Sequence, residues 1–210
     1  QNQNNASERP AMALTAHREA VSVQPAIEPL TIEDARMHCD LDDAYHDGSL
    51  SRLITAARVK VEQDTRLALI NQTRVMKFDA WPRQTIIELP VAPLQSVSSV
   101  TYVDTLDSTQ TLSASLYAVD TTQNPGRIVL NDGESWPATR GHYNDIVVTY
   151  IAGHGATVAS VPKTAQLAML MLVRHWFDRG TAVSQDFAQP QVMPLAYQSM
   201  VNSLHWGQYP

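Results

Sequence analysis

The chain is short of cysteine, of charge and of long apolar runs, and each shortage excludes a class of protein. Cys39 is the only cysteine among 210 residues, which excludes an internal disulfide framework and a cysteine-based zinc site. No apolar run approaches the roughly 20 residues that a membrane-spanning helix needs, so we expect no such segment. Charged residues make up 17% of the chain and hydrophobic residues 44%, a composition typical of a globular protein with a real core.

The motifs of common enzyme classes are also missing. The sequence contains no glycine-rich phosphate loop, no GxSxG turn and no HExxH pair. Its seven histidines never stand four residues apart on one helix. His154, in a glycine turn, and His175, on a helix, are the residues that a small-ligand enzyme would use. The sequence therefore predicts no catalytic residue, no metal and no cofactor.

Acidic residues outnumber basic ones. The formal net charge is −6, which argues against a protein that grips nucleic acid by neutralising its phosphates. It suits a protein that DNA slides past. Four aspartates cluster in one acidic turn, but their spacing does not match a calcium loop, and helix capping with solvation explains them more simply. These four are Asp40, Asp42, Asp43 and Asp47.

Two helices are predicted before residue 70. The first spans residues 30–39, where Thr31 is a good N-cap and acids follow in the first turn. The second runs from about residue 43 or 49 to 69, because apolar residues recur there at helical spacing. Its apolar positions are Leu50, Leu53, Ile54, Ala57 and Val61.

A third helix, over residues 161–180, is the most apolar segment. Pro162 suits its first turn and Gly180 the position just past its end. The residues between them are apolar almost all round, so the helix must be covered on more than one side. Either this chain's own strands or neighbouring copies could supply that cover.

Between residues 72 and 153 the apolar period changes from helical to two, which indicates strands. Turn residues separate the segments, and the last one is apolar on both faces, as a central strand would be. We predict an antiparallel β-meander of about six strands. The strand-like segments are 76–80, 85–90, 97–105, 109–113, 116–120, 127–131 and 145–153.

The order of elements predicts an α+β fold, a helical bundle core with the β-meander inserted into it. The chain divides into an extended N-terminal tail (1–28), a helical part of the core (29–71), a β-rich insertion (72–153), the core helix (154–182) and a C-terminal docking arm with a short helix (183–210). The polar tail is expected outside the core, either ordered against a partner or as a plain disordered leader. The C-terminal arm has one formal charge in its last 26 residues, so we expect it to dock on its own core or on another protein.

Several stretches together resemble the head–tail connector (adaptor) proteins of tailed bacteriophages and phage-like gene transfer agents. The resemblance covers residues 29–205, and IIELPVAPLQSVSSVTYVD (86–104) is its most telling part. The other stretches are LTIEDARMHCDLDDAYHD (30–47), LSRLITAARVKVEQDTRLAL (50–69), YAVD, RIVL, WP, VVTYIAGHG (147–155) and VPKTAQLAMLMLVRHWFDRG (161–180).

The resemblance implies a structural virion protein at the head–tail interface, assembled in the host cytoplasm. It implies a ring of twelve copies beneath the portal protein, with a tail or stopper/nozzle protein on the other side. DNA would pass through the channel without sequence-specific binding, and no catalytic residue carries over. The subunit-interface candidates are Leu50, Leu53, Ile54, Ala57, Val61, Leu170, Arg174 and Asp178. The portal-docking candidates are Met193, Tyr197, Met200, Leu204, Trp206 and Tyr209.

Two alternatives from other classes remain open. A nucleic-acid-binding packaging factor would need a clustered basic surface, formed by Arg52, Arg58, Lys60, Lys163 and Arg179. A small-ligand enzyme would need a pocket between the sheet and the 161–180 helix, with His154 or His175 in it.

Overall fold

The computed structural model of the protein describes residues 17–181 and 195–204. Within these ranges it contains four α-helices and eight β-strands, and no helix that is both long and apolar enough to cross a membrane. The helices are α1 (Ile32–His38), α2 (Asp47–Thr65), α3 (Lys163–Thr181) and α4 (Leu195–Leu204). The strands are β1 (His17–Val23), β2 (Gln72–Phe78), β3 (Ile86–Leu89), β4 (Leu94–Val103), β5 (Thr109–Thr111), β6 (Tyr117–Asp120), β7 (Gly126–Leu130) and β8 (Ile146–Ala152).

The fold is α+β, as the sequence predicts. Helix α2 packs against α1, α3 and α4, and their apolar faces form one buried cluster centred on residues such as Leu50, Val61, Met169 and Leu172. The strands form a second cluster. The helical part and the β part therefore have separate hydrophobic cores.

Helix α1 begins where the sequence predicts it, at a capping box. The Thr31 hydroxyl accepts a hydrogen bond from the Asp34 N–H at 3.1 Å, and the Asp34 carboxylate accepts one from the Thr31 N–H at 3.1 Å. Each side chain satisfies a backbone donor that the first helical turn leaves without a partner. The start of the helical core is therefore fixed by local chemistry.

The strands form two sheets, where the sequence predicts one meander. The first sheet has the antiparallel order β1-β2-β8-β4-β5, and the second has the order β3-β7-β6. Strand β8 lies at the centre of the first sheet, as its two apolar faces indicate. Strands β3, β6 and β7 form a sheet of their own. Their apolar residues, among them Ile87 and Ile128, pack in the same hydrophobic core as the inner face of the first sheet.

Strand β1 corrects the prediction that the N-terminal tail (1–28) lies outside the core for residues 17–23; residues 1–16 lie outside the described ranges. His17–Val23 pairs with β2 from His17 opposite Phe78 to Val23 opposite Thr73. The strand is short of apolar residues because it lies at a sheet edge, where backbone hydrogen bonds and one polar contact hold it. Such a strand leaves little periodic signal in the sequence.

A stacked tryptophan pair connects two loops of the β part. The rings of Trp81 and Trp136 are 4.5 Å apart and nearly parallel. The indole N–H of Trp81 donates to the Pro137 carbonyl at 2.9 Å, and that of Trp136 donates to the Gln84 carbonyl at 3.0 Å. The pair thereby joins the β2–β3 loop to the β7–β8 loop.

Candidate assembly surfaces

Four predicted subunit-contact residues are buried in the chain's own helical core. Leu50, Ile54, Ala57 and Val61 are at most 2% exposed, because other helices of the same chain cover this face of α2. Their helical spacing reflects contacts within the chain. These side chains are therefore unavailable to another subunit, and this part of the prediction is corrected.

The other predicted contact residues are accessible. Leu53 is half-buried at the edge of the helical core. On α3, Leu167, Leu170, Arg174 and Asp178 follow one another at i, i+3, i+7 and i+11, which places them along one face. Leu167 is 40% exposed, Leu170 and Arg174 are half-buried, and Asp178 is exposed. We call these four residues the α3 strip; α3 is not wholly enclosed by its own chain.

Arg174 organises the polar end of the α3 strip. Its Nε donates to Asp178 at 2.8 Å, and its Nη1 donates to the Asp40 carboxylate at 2.7 Å and to the His38 carbonyl at 3.0 Å. Exposed ion pairs contribute at most about 1 kcal/mol, so this cluster stabilises the fold little. Its effect is to hold a guanidinium and two carboxylates in fixed positions beside the apolar part of the strip.

Helix α4 docks on its own chain. The Tyr197 side chain is buried, and its hydroxyl donates to Asp64 on α2 at 2.6 Å. Burial and this carboxylate raise the pKa of Tyr197. Met200 and Leu204 are partly buried against the helical core. A portal contact through Tyr197 is therefore corrected, because its ring already fills a site on α2.

The other portal-docking candidates are not tested by the structure. Met193, Trp206 and Tyr209 lie outside the described residues. Leu195, the first residue of α4, is 78% exposed. A docking role for the C-terminal arm thus remains a prediction for Met193, Met200, Leu204, Trp206 and Tyr209.

A buried ion cluster, which the sequence does not reveal, ties the segment after β1 to α2. Arg58 is 4% exposed and donates through Nε to Glu28 at 2.8 Å and through Nη1 to Glu62 at 3.1 Å. Glu62 also accepts from the Leu69 N–H at 2.9 Å, yet its burial raises its pKa above the usual value. In the sequence, Arg58 resembles an ordinary residue of the polar face of a helix. Its partner Glu28 stands 30 positions earlier, so no local pattern reveals the ion pair.

A second polar cluster holds β1 to the sheet. Glu19 accepts from Arg74 Nε at 2.7 Å and from the hydroxyl of Tyr150. Tyr150 is fully buried, and the loss of hydration together with the Glu19 charge raises its pKa. A charged edge residue therefore satisfies a buried hydroxyl on the central strand, which explains why β1 belongs to the sheet.

The five basic residues considered for nucleic-acid binding lie in different environments. Arg58 is buried between two glutamates, and Lys60 is paired with Asp64 through a 2.5 Å contact. Lys163 donates to Gln166 at 2.9 Å. Arg52 and Arg179 are exposed, on α2 and α3 respectively. The five residues are thus spread over different environments, two of them neutralised by carboxylates.

Neither the histidines nor the acidic turn assembles an obvious chemical site. Burial lowers the pKa of His154, whose Nε2 is buried without a hydrogen-bond partner among residues 17–181 and 195–204. Burial and then Arg179 lower the pKa of His175. In the acidic turn, Asp47 pairs with Arg36, its Oδ1 lying 2.6 Å from Nε. Within the described ranges no group of three or more metal-ligating side chains is placed to hold an ion.

The distal end of the five-stranded sheet presents two large apolar side chains on braced loops. Leu106 in the β4–β5 turn is 85% exposed, and Tyr143 in the β7–β8 loop is 76% exposed. Arg140 joins the loops, since its Nη1 donates to Asp107 at 2.9 Å and its Nε to the buried Asp145 at 2.7 Å. Braced exposed apolar groups lose little conformational freedom on binding, which favours contact with another protein.

The five-stranded sheet also has one face that the second sheet does not cover. Burial alternates along β8, so that Ile146, Val148 and Tyr150 face the β core while Val147 and Thr149 lie half-exposed on the other side. A shallow depression of about 520 Å³ crosses the β1–β2 part of this uncovered side and is lined in part by Val75 and Lys77. We call this side the open sheet face.

Comparison with known proteins identifies a family and a fold. The model of the family described as head completion protein matches residues 28–190. No curated protein sequence matches the chain significantly.

Three solved structures share the fold. A chain in the neck of an empty gene transfer agent particle, computed with C6 symmetry, has a TM-score of 0.73 at 19% identity, covering 93% of this chain and 97% of that one. A chain in the virion of a native gene transfer agent particle gives 0.74 at 18% identity, covering 91% and 97%. A chain in the neck of a native particle, computed with C12 symmetry, gives 0.71 at 19% identity, covering 93% and 97%. At these identities the likeness establishes a common fold over nearly the whole of each chain.

Proposed function

The chain belongs to the head completion protein family, and we propose that it is a structural virion protein that connects head to tail. In this proposal it forms a ring beneath the portal protein and extends the channel through which DNA passes. The observation that carries the proposal is the fold, which aligns over 97% of the length of chains found in particle necks. A connector needs no catalytic centre, only surfaces that join copies and partners.

Three surfaces suit these contacts. The α3 strip offers Leu167 and Leu170 beside the fixed charges of Arg174 and Asp178 to a neighbouring subunit, with Leu53 as a further candidate on α2. The C-terminal arm (183–210) is the proposed contact with the portal. The distal loops with Leu106 and Tyr143 are the proposed contact with a tail or stopper/nozzle protein.

Twelve copies per ring is the stoichiometry we propose. A neck with a similar chain was computed with C12 symmetry, which supports the number by analogy of fold. A net charge of −6 favours passage of DNA through such a ring without strong attachment. The ion pairs of Arg58 and Lys60 with carboxylates weigh against the alternative of a DNA-gripping packaging factor.

We also propose that the protein is not an enzyme. The lowered pKa values of His154 and His175 follow chiefly from burial, as expected for histidines that pack into a fold. Membership of the head completion protein family supports a structural role in the particle and weighs against an enzyme that acts on a small ligand.

Mass photometry and negative-stain imaging of the purified chain, with and without the portal ring, test the proposal. We expect twelve-fold rings, either from the chain alone or seated on the portal. A chain that remains monomeric in both conditions contradicts the connector function. Retention on duplex DNA at moderate salt would instead favour the packaging factor. Hydrogen exchange over residues 192–210 should slow when the portal is added, and unchanged exchange there contradicts the docking-arm part of the proposal.

A further inference from the structure

One edge of β3 carries backbone groups that no described strand pairs. In the second sheet β3 is an outer strand, with β7 on one side only. The Leu130 N–H donates to the Thr85 carbonyl, and in an antiparallel pair the residues that bond the partner alternate with residues that do not. In this register the N–H and C=O groups of Ile86 and Glu88 point away from β7. We call this side of the strand the free edge of β3; such an edge is a template for a further strand.

An apolar groove of about 280 Å³ runs along the free edge of β3. Three consecutive residues of the strand, 86–88, line it. Successive side chains of a strand point to opposite faces, so a depression that touches all three lies along the edge and not on one face. The other described lining residues are Met76, Phe78, Pro82, Pro90 and Pro125. A groove beside an open strand edge suits an added strand, which gains main-chain hydrogen bonds and side-chain pockets together.

The start of β1 brings the N-terminal segment of the chain to this groove. His17, the first residue of β1, lies opposite Phe78, the last residue of β2. Phe78 is also part of the groove lining. Because β2 ends there, it offers no continued ladder to the residues that precede His17. The chain therefore enters β1 from the rim of the groove.

The residues that precede β1 have the composition of an added strand. Residues 11–16, AMALTA, carry no charge and include Met12 and Leu14. Their spacing of two places both apolar side chains on one face of a strand. Six extended residues span roughly 20 Å, whereas the strand from Ile86 to Leu89 spans roughly 13 Å. The segment is therefore long enough to turn at the rim and follow the whole edge.

We propose that residues 11–16 add a strand to the free edge of β3 in the same chain and place Met12 and Leu14 in the groove. Because the segment is joined directly to β1, its effective concentration at the groove exceeds that of a segment from another molecule. A nucleic acid would require basic side chains, which the described lining lacks. The added strand covers an edge through which copies could otherwise pair wrongly. The inference goes beyond the connector function and does not rest on it, since the contact lies within one subunit.

Hydrogen exchange of the full chain, resolved to single residues, tests the proposal. The measurement is made at concentrations where mass photometry shows monomers. The reference is Val119 on β6, at the opposite edge of the same sheet, whose N–H also points away from β7. The protection factors of the Ile86 and Glu88 amides should exceed that of Val119 at least about tenfold, because an added strand bonds them. Equal protection at the two edges overturns the proposal. Protection that appears only when copies associate also overturns it, because the occupant is then another subunit.

A double substitution identifies the segment that covers the edge. Met12→Asp combined with Leu14→Asp should release residues 11–16, because an apolar groove does not hold unpaired carboxylates. The protection of the Ile86 and Glu88 amides should then fall at least about tenfold, while the Val119 amide stays unchanged. Unchanged protection at the free edge of β3 shows that something else covers it and overturns the proposal.

Two controls separate release of the segment from general loosening. Asn4→Asp combined with Asn5→Asp adds the same two charges outside residues 11–16 and should leave the exchange at Ile86 as in the wild type. The Ile87 amide, which the register directs toward β7, should keep its protection in both variants. Equal losses at Ile86 and Ile87 show that the sheet itself has opened, which contradicts the proposal. Ring formation is not part of this readout, so its failure leaves the connector function intact.

Discussion

Replacing Arg58 by methionine should destabilise the monomer strongly, although Arg58 lies on the polar side of its helix by sequence. The guanidinium is 4% exposed and bonds Glu28 and Glu62 at 2.8 and 3.1 Å. Glu62 is itself largely buried, with 9% of its side chain accessible. Methionine keeps much of the volume but leaves the Glu62 carboxylate without its cation.

The expected loss is large compared with the stability of a typical domain. Removing one partner of a buried ion pair costs about 3–5 kcal/mol, and domains are stable by about 5–15 kcal/mol. For a chain of this length each kcal/mol lowers the melting temperature by about 2–4 °C. The melting temperature of Arg58→Met should therefore fall by roughly 6–20 °C at pH 7.

The loss should depend on pH in a direction that the structure fixes. Burial raises the pKa of Glu62 above its usual value, and Arg58 partly offsets that rise. A raised pKa means that the native state holds the proton more tightly, so ionisation of Glu62 lowers stability as pH rises through the interval between its unfolded and folded pKa values. Without Arg58 that folded pKa should rise further. The deficit of Arg58→Met should then be greatest near pH 7 and shrink as the pH falls toward the unfolded pKa of about 4.3.

Urea unfolding followed by circular dichroism at pH 7 and pH 4.5 measures both effects. Arg52→Met, on the exposed face of the same helix, is the matched control and should change stability by less than about 0.5 kcal/mol. Adding Glu62→Gln to Arg58→Met should restore most of the loss, because it removes the buried charge. A loss below about 1 kcal/mol at pH 7, or a deficit that does not shrink in acid, would refute the reasoning.

Three further substitutions test other parts of the fold by thermal and urea unfolding. Tyr197→Phe should cost about 1 kcal/mol by removing the hydrogen bond between α4 and α2, and hydrogen exchange in α4 should quicken; unchanged exchange contradicts the docking of this helix. Gly153→Ala should lower the free energy of unfolding by more than about 3 kcal/mol, because φ is +151° there and a Cβ would lie 2.5 Å from the Asn71 backbone nitrogen. The control Gly133→Ala, where φ is +82° and a Cβ would meet open space, should lower it by only about 1 kcal/mol. Trp81→Ala should cost about 2–4 kcal/mol by unstacking Trp136, and a loss under about 1 kcal/mol would show that the loops close without the pair.

Local signals in the sequence are sufficient for the helices of the core. The N-cap at Thr31, the repeat that begins at Leu50 and the apolar segment between Pro162 and Gly180 predict α1, α2 and α3 within a few residues. These elements are specified by side chains three or four positions apart, which a single sequence displays. Strand positions follow from the period of two for the same reason.

Pairing between distant segments is what the sequence does not display. Sheet membership depends on partners such as Ile86 and Val129, 43 positions apart, so one predicted meander becomes two sheets. Strand β1 escapes prediction because its place depends on Glu19 meeting Arg74 and Tyr150. Apolar periodicity shows that one face of a helix is buried, but not whether the same chain or another subunit covers it. Leu50, Ile54, Ala57 and Val61 were therefore predicted as interface residues, whereas the structure places them in the core of the chain itself.

The apolar face of α2, formed by Leu50, Ile54, Ala57 and Val61, is buried within the subunit. The free energy of assembly must therefore come from contacts made by other residues. Because α3 and α4 of the same chain cover this face of α2, the helical core can form in a single subunit before any ring exists. We propose that subunit contacts instead involve accessible residues, such as Leu53 and those of the α3 strip. Substitutions on these surfaces remove little buried area from the monomer, so they should alter assembly while leaving the melting temperature nearly unchanged. Core substitutions such as Arg58→Met should lower the melting temperature. They should leave assembly nearly unchanged under conditions where most of the protein remains folded. This separation allows interface and core to be assigned by measurement, residue by residue.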